Sequence, residues 1–115
     1  MHFARNDMHF ARIEEERGVL VVTPLVRELG AEAARQLQEA AGDAISERSL
    51  AIVCLSHVEE VDCSGLAGLV ALMKRMAPEG ELRLTGAGPA VRALLAVTQV
   101  DQVLPCHADP WPLTP

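Results

Sequence analysis

Residues 58–66 have the sequence VEEVDCSGL and lie between two apolar segments. The segment before them, residues 50–55, has the apolar run of a buried strand, and the segment after them has the apolar spacing of a helix. A short polar turn between a buried strand and a buried helix is where α/β domains place their surface chemistry. Residues 62–64 therefore bring a carboxylate, a thiol and a hydroxyl to the positive end of a helix dipole.

Strand and helix patterns alternate along the rest of the chain. We predict strands at residues 10–16, 19–23, 50–55, 81–85 and 103–104, and helices at residues 31–45, 64–76 and 89–97. Residues 24–29 fit either a strand end or a loop. This alternation is typical of an α/β domain with a mostly parallel sheet. The run at 50–55 is apolar on both faces and so belongs at the centre of the sheet, whereas residues 10–16 fit an edge strand.

The composition limits the class of protein. The chain has 115 residues, enough for one domain, and half of them are hydrophobic, so it can bury a core. Only 3 % are aromatic and the formal net charge is −6, which argues against nucleic acid or an anionic membrane as the main partner. No apolar run nears the ~20 residues of a membrane span, and the N-terminus lacks the apolar segment of a signal peptide. We therefore expect neither membrane insertion nor direct nucleic-acid binding.

The cysteines and histidines do not have the spacing of a metal site. Cys54, Cys63 and Cys106 are odd in number and widely separated, which indicates free thiols in a reducing cytoplasm. His57 and His107 add no second ligand pair at short spacing. The sequence predicts no metal and no cofactor.

The two ends fall outside the predicted domain, which spans residues 10–108. The pentapeptide MHFAR occurs twice within the first twelve residues, and we interpret residues 1–9 as a duplicated, disordered or artefactual start. Residues 109–115 form a proline-rich tail, in which Trp111 either packs over the sheet or anchors an interface.

On chemistry alone, the turn at residues 62–65 has three interpretations. Asp62 or Ser64 caps the free N–H groups of the helix, a role worth about 1 kcal/mol, and Gly65 permits close packing. Alternatively a hydroxyl here is a phosphorylation site, because a helix N-terminus holds a phosphate well and the added charge can remake an interface. In the third interpretation Cys63 is a reactive thiol.

Residues 61–66 resemble the signature turn of STAS domains, the fold of bacterial anti-sigma factor antagonists. In that family an apolar strand and a short link lead to Asp-Ser-Ser/Thr-Gly-Leu, which opens a helix. The resemblance extends to residues 82–86, 88–91 and 100–104, and the order of elements agrees from about residue 10 to residue 108. It implies a single STAS-like α/β domain with a mostly parallel sheet of four or five strands and helices mainly on one side.

Two positions depart from the family's pattern. The family's phosphorylated Ser or Thr directly follows the Asp, and this chain has Cys63 there; Ser64, the second residue of the pair, is the nearest alternative acceptor. The family often has Gly-x-Leu-Asp, with its Asp beside the phosphorylation site. The corresponding residues 24–30 of this chain contain no Asp, and Arg27 or Gly30 lies near the Asp position, depending on alignment. We therefore expect partner binding without the usual phospho-switch.

The resemblance implies a cytoplasmic, non-enzymatic protein that binds an anti-sigma factor with a histidine-kinase-like ATPase fold and so frees a sigma factor. The implied contact residues are Asp62, Cys63, Ser64, Gly65 and Leu66, the exposed face of the following helix, and the loop that contains Arg27. The partner, rather than this chain, would bind the nucleotide. We expect Asp62→Lys or Leu66→Glu to weaken partner binding while leaving the fold intact.

Three alternatives stay open on the sequence. Some single-domain STAS proteins serve a lipid-transport ATPase as a fixed subunit or assemble into stress-sensing complexes. An enzyme with Cys63 as its nucleophile belongs to a different class. An exposed edge strand near the N-terminus would in addition permit a homodimer.

Overall fold

The structure is a computed structural model that describes residues 6–7, 10–46, 48–104 and 106–107. The strands are β1 (Asn6–Asp7), β2 (Ala11–Glu16), β3 (Val19–Pro24), β4 (Glu28–Leu29), β5 (Leu50–Cys54), β6 (Glu60–Val61), β7 (Glu81–Thr85) and β8 (Cys106–His107). The helices are α1 (Ala31–Ile45), α2 (Cys63–Met73) and α3 (Pro89–Val97), and a 3₁₀ turn spans Val100–Gln102. Apart from β1, the predicted N-terminal start at residues 1–9 lies outside the described residues, as does the tail with Trp111.

The main sheet has the strand order β1-β2-β3-β5-β7-β8. β2 and β3 form an antiparallel hairpin through Arg17 and Gly18, whose φ angles of 56° and 81° are those of a tight two-residue hairpin turn. From β3 to β8 the neighbouring strands are parallel. The mostly parallel sheet is confirmed: its four long strands are β2, β3, β5 and β7, and the two-residue strands β1 and β8 extend it at the edges.

All three helices pack against one face of this sheet. Alternate strand positions point to opposite faces, and one alternate set belongs to the same buried cluster as residues of α1, α2 and α3. That set is Leu20, Val22, Ala51, Val53, Leu82 and Leu84, with Leu37, Leu69 and Leu95 from the helices. The predicted one-sided arrangement of helices is therefore confirmed for the described part of the chain. No described helix has the length and apolar character needed to cross a membrane.

The sequence did not predict the second sheet, which consists of β4 and β6 alone. These two-residue strands are parallel, with Glu28 opposite Glu60 and Leu29 opposite Val61. Strands this short show no periodicity, because a period of two needs four or more residues to be seen. The small sheet joins the segment before α1 to the segment before α2.

Two predicted elements have other bounds, and one predicted edge strand is partly covered. The last strand was expected at Val103 and Leu104, but it lies at Cys106–His107. Leu104 does not pair in a sheet. It follows the 3₁₀ turn and is fully buried in the core, which accounts for an apolar residue at this position. Residues 10–16 do not form a free edge, since β1 pairs with Arg12 and Ile13 on the outer side of β2. Helix α2 starts one residue earlier than expected and ends at Met73 rather than at residue 76.

An ion pair joins the β2–β3 hairpin to the segment that follows α1. Arg48 donates to both carboxylate oxygens of Glu15, at 2.8 and 3.2 Å, and also to the main-chain oxygens of Gly18 and Ala44. The hydrogen bond from Arg48, and then its charge, lower the pKa of Glu15 below its ordinary value of 4.5. A depressed carboxyl pKa contributes stability that is present above the unfolded pKa and is lost as the pH falls through the folded pKa.

We therefore expect Arg48→Met to lower the melting temperature at pH 7. The difference from wild type should shrink as the pH falls below 4.5, because protonated Glu15 no longer attracts the guanidinium. Thermal unfolding, followed by circular dichroism at pH 7 and at a pH below 4.5, measures this difference in melting temperature. A deficit of equal size at both values would mean that Arg48 acts through its packing and its hydrogen bonds to main-chain oxygens, and not through the ion pair with Glu15.

Candidate functional site

The polar turn begins with a helix cap. Asp62 has extended backbone, with φ −103°, and its Oδ1 accepts a hydrogen bond from the Gly65 N–H at 2.9 Å. A carboxylate in this position satisfies one of the free N–H groups and interacts favourably with the helix dipole. Of the two candidate caps, the structure selects Asp62. Cys63 and Ser64 are therefore the first two residues of α2, and both are exposed.

Gly65 brings α2 into direct contact with the backbone of β4. A Cβ atom at this position would lie 2.0 Å from the Leu29 carbonyl oxygen and 3.0 Å from Val61 Cγ1. The Leu29 oxygen also accepts a hydrogen bond from the Asp62 N–H at 3.3 Å. The start of α2 is thus fixed on the small sheet, and the prediction that Gly65 permits close packing is confirmed.

Arg27 ties the loop before β4 to the loop before β6. Its main-chain oxygen accepts from the N–H groups of Glu59 and Glu60 at 2.7 and 3.0 Å, and its guanidinium donates to Glu59 Oε1 at 3.1 Å. The hydrogen bond that Arg27 donates to Glu59, and then the charge of Glu59, raise the pKa of Arg27. Arg27 therefore lies beside the turn but makes its ion pair with Glu59, within this chain.

Burial divides the predicted contact residues into two groups. Asp62, Cys63 and Ser64 are exposed, whereas Gly65 is buried and Leu66 is only 5 % exposed within the core cluster. Leu66→Glu would bury a charge, so the expectation that it leaves the fold intact is wrong. Since Leu66 points inward, its role is to hold the start of α2 against the core.

The exposed side of α2 continues the surface that begins at Asp62. After Ser64, the exposed residues are Ala67, Ala71 and Lys74, at helical spacing of three and four residues. This face, which we call the α2 outer face, has small side chains and no charge until Lys74. A neighbouring protein could therefore approach the helix backbone closely along two turns.

The location of Gly30 decides whether position 27 or position 30 corresponds to the Asp of the family's Gly-x-Leu-Asp motif. It is the N-cap residue of α1, and a Cβ atom on it would lie 3.1 Å from Asp62 Oδ2. Position 30, rather than position 27, is therefore the one that faces the turn. In one of the two alignments, Leu29-Gly30 corresponds to the family's Leu-Asp. Only the contact with Asp62 shows that this alignment is the correct one.

The remaining thiols and acidic groups do not form a metal site among the described residues. Cys54 and Cys106 are half-buried free thiols, and burial raises the pKa of Cys106. Cys54 donates to Ser56 Oγ at 3.3 Å. No group of three or more His, Cys, Asp or Glu side chains in the described ranges could hold a metal ion.

Comparison with known proteins agrees with this architecture. Residues 11–110 match the STAS domain. An anti-sigma factor antagonist from Mycobacterium paratuberculosis is 26 % identical, with 86 % of this chain and 85 % of that chain covered and a TM-score of 0.77. An anti-sigma-factor antagonist (STAS) domain protein from Planctomyces limnophilus is 25 % identical, with 89 % and 92 % covered and a TM-score of 0.77.

A third solved structure shares the fold at lower identity. The anti-sigma factor antagonist SpoIIAA in its unphosphorylated form is 19 % identical, with 94 % of this chain and 90 % of that chain covered and a TM-score of 0.67. No curated protein matches the chain. Because the family match spans nearly the whole of the described sheet and all three helices, the chain belongs to the STAS domain family.

Proposed function

We propose that this chain is a cytoplasmic anti-sigma factor antagonist that binds a kinase-type anti-sigma factor and so releases a sigma factor for transcription. The observation that carries the proposal is the exposed turn Asp62–Ser64, fixed on the small sheet and continuous with the uncharged α2 outer face. Two relatives at 25 % identity or more are antagonists by description, and they share the fold over most of their length.

The chemistry of the turn fits docking better than catalysis. Cys63 is exposed, and among the described residues none forms a side-chain hydrogen bond with its thiol. Nucleophilic catalysis needs a base within hydrogen-bond reach of the nucleophile. We therefore assign the turn to partner recognition and treat the chain as non-enzymatic.

Cys63 changes how the interaction is regulated. The resemblance places the phosphate acceptor of the family at position 63, and a thiol is a poor acceptor for a Ser/Thr kinase. We propose that the chain binds its partner constitutively and that any phosphate added by the partner falls on Ser64. The alternative is that the chain is a fixed subunit of a lipid-transport ATPase or of a stress-sensing complex. Affinity capture from the native host identifies this outcome by the subunits that co-purify.

The direct test is binding to purified kinase-type anti-sigma factors of the host, measured by isothermal titration calorimetry. Asp62→Lys should weaken binding by at least about tenfold, or about 1.4 kcal/mol, because it reverses the charge at the centre of the surface. It should also cost about 1 kcal/mol of stability through loss of the cap. Asp62→Asn keeps a capping oxygen and separates the two effects: stability should stay near wild type while binding falls.

A control for net charge is Glu79→Lys. Glu79 is exposed on the turn between α2 and β7, at the far end of α2 from Asp62. Glu79→Lys changes the net charge by the same amount as Asp62→Lys, and the affinity of this variant for the partner should match that of wild type. If no host anti-sigma factor binds the wild-type chain, or if Asp62→Lys and Glu79→Lys bind equally well, the proposed function is wrong.

A further inference from the structure

The side of the main sheet opposite to the three described helices, which we call the helix-free face, is buried at its centre. Val21 and Ile52 lie on this face, opposite each other in the register of β3 and β5 and outside the core cluster under the helices. Val21 is 2 % exposed and Ile52 is 0 % exposed. Parallel sheets normally have both faces covered. Since these exposures belong to a single chain, the cover is part of the same chain.

The described elements do not provide this cover. Helices α1, α2 and α3 contribute to the core cluster on the opposite face. The small sheet lies on the helix side as well, because β4 contacts α1, and β6 contacts α2 and α3. The other described turns, at residues 17–18, 77–80 and 86–88, adjoin the ends of strands rather than their centres. The cover therefore comes from one of the two terminal segments of the chain.

Burial on the helix-free face is deepest toward the carboxyl ends of the parallel strands. Thr23 and Thr85 are buried there, whereas Val19 and Leu50, near the amino ends, are only half-buried. β1 enters the sheet from the amino end of β3, because it is antiparallel to β2. β8 leaves the sheet at the carboxyl end of β7, where His107 is opposite Thr85. The segment that follows β8 is therefore the one that starts beside the buried part of the face.

We propose that residues 108–115, which we call the C-terminal segment, cross the helix-free face and that Trp111 covers Val21 and Ile52. The segment has the sequence ADPWPLTP. Its prolines cannot donate to a strand ladder and favour an extended chain of about 3.1 Å per residue. Trp111 is four residues beyond His107, a reach of about 12 Å. Two strand spacings of about 4.8 Å separate β8 from β5, so Trp111 reaches the strand that holds Ile52.

The polar residues of the helix-free face fit this occupant. Arg12 and Arg83 lie on the face, and the Nε atom of each is buried. Asp109 is the one charged residue of the C-terminal segment and has the opposite sign. Arg83 Nε also lies 3.1 Å from Glu81 Oε2, but a guanidinium has five N–H donors and can bind a second carboxylate. The segment therefore matches both the apolar centre of the face and its positive charge.

The test uses the full chain with ¹³C-labelled isoleucine δ1 methyl groups, followed by NMR. Of the three isoleucines, Ile13 and Ile45 belong to the core cluster under the helices, whereas Ile52 lies on the helix-free face. Trp111 is the only tryptophan in the sequence, so its indole protons are assigned directly. We expect nuclear Overhauser effects from the indole ring to the Ile52 methyl, and none to Ile13 or Ile45.

The variant Trp111→Ala gives a second measurement. An aromatic ring displaces the resonance of a methyl group that packs on it, so the Ile52 methyl should move at least about five times further than those of Ile13 and Ile45. The matched control is Val97→Ala, which trims an apolar side chain that is exposed on α3. This variant should leave the Ile52 methyl in place. If Trp111→Ala does not fold, the Overhauser effects in wild type decide alone.

Three results would overturn the inference. The first is wild-type protein without an effect between the indole ring and the Ile52 methyl. The second is an effect that arises only between labelled and unlabelled chains in a mixed sample, which would assign the cover to a second copy. The third is an effect on Ile52 from residues 1–5 in place of Trp111. No anti-sigma factor enters these measurements, so their failure leaves the proposed function standing.

Discussion

Replacing Gly65 with alanine is expected to destabilise this protein by about 3 kcal/mol or more and to abolish partner binding. The new Cβ atom would lie 2.0 Å from the Leu29 carbonyl oxygen and 2.9 Å from its carbonyl carbon. Leu29 is buried and paired with β6, so the backbone of β4 has little freedom to move away. The start of α2 would have to shift instead, which breaks the Asp62 cap and displaces Leu66 from the core.

Chemical denaturation measures the loss of stability, and Gly88→Ala is the matched control. Both glycines lie at or within three residues of a helix start, but a Cβ atom at Gly88 enters open space. Gly88→Ala should therefore cost less than about 1 kcal/mol. Similar losses in the two variants would show that contact with Leu29 does not determine the requirement for glycine at position 65.

Changing Cys63 to serine is expected to create a regulated switch in a chain that we propose binds its partner constitutively. The substitution puts a hydroxyl directly after Asp62, at an exposed position in the first turn of α2. Incubation with a bound kinase-type anti-sigma factor and ATP should add one phosphate at position 63, seen by intact mass and located by peptide mass spectrometry. A phosphate brings about −1.5 to −2 charges, beside the Asp62 carboxylate, so the modified variant should leave its partner.

Wild type and Cys63→Ala are the comparisons for this experiment. Neither should gain phosphate at position 63, and any phosphate in wild type should disappear in Ser64→Ala. If Cys63→Ser binds the kinase yet takes no phosphate, the thiol is not the reason for a constitutive complex. The next step would then be to introduce the family's carboxylate at position 30, as Gly30→Asp in the Cys63→Ser background.

Much of the fold follows from local patterns. Helix α1 begins and ends where the apolar spacing of residues 31–45 predicts, and α3 begins at Pro89, the position where a missing N–H costs nothing. The strands at residues 19–23 and 81–85 were also visible as short β-branched or alternating runs. These elements are predictable because each has enough residues for its period to appear in the sequence.

The site was predictable only in part. Asp62 as a helix cap and Gly65 as a point of close approach follow from the order of residue types at a helix start. The inward direction of Leu66 follows as well, because its helical spacing with Leu69 and Leu72 predicts it, and all three side chains are buried. The sequence did not show that Gly30, rather than Arg27, lies against Asp62, because that contact depends on how the segments before α1 and α2 pack together.

The sequence by itself therefore determined an α/β domain of the STAS type and the polar turn at residues 62–64, and it has Cys63 at the position where the resemblance places the family's phosphate acceptor. Only the tertiary structure decided that Gly30 touches Asp62, that Leu29 supports Gly65 and that residues 28–29 and 60–61 pair as a second small sheet. The physical reason is separation along the chain. These contacts join segments about thirty residues apart through two-residue strands and single atoms, which leave no periodic signal in either segment.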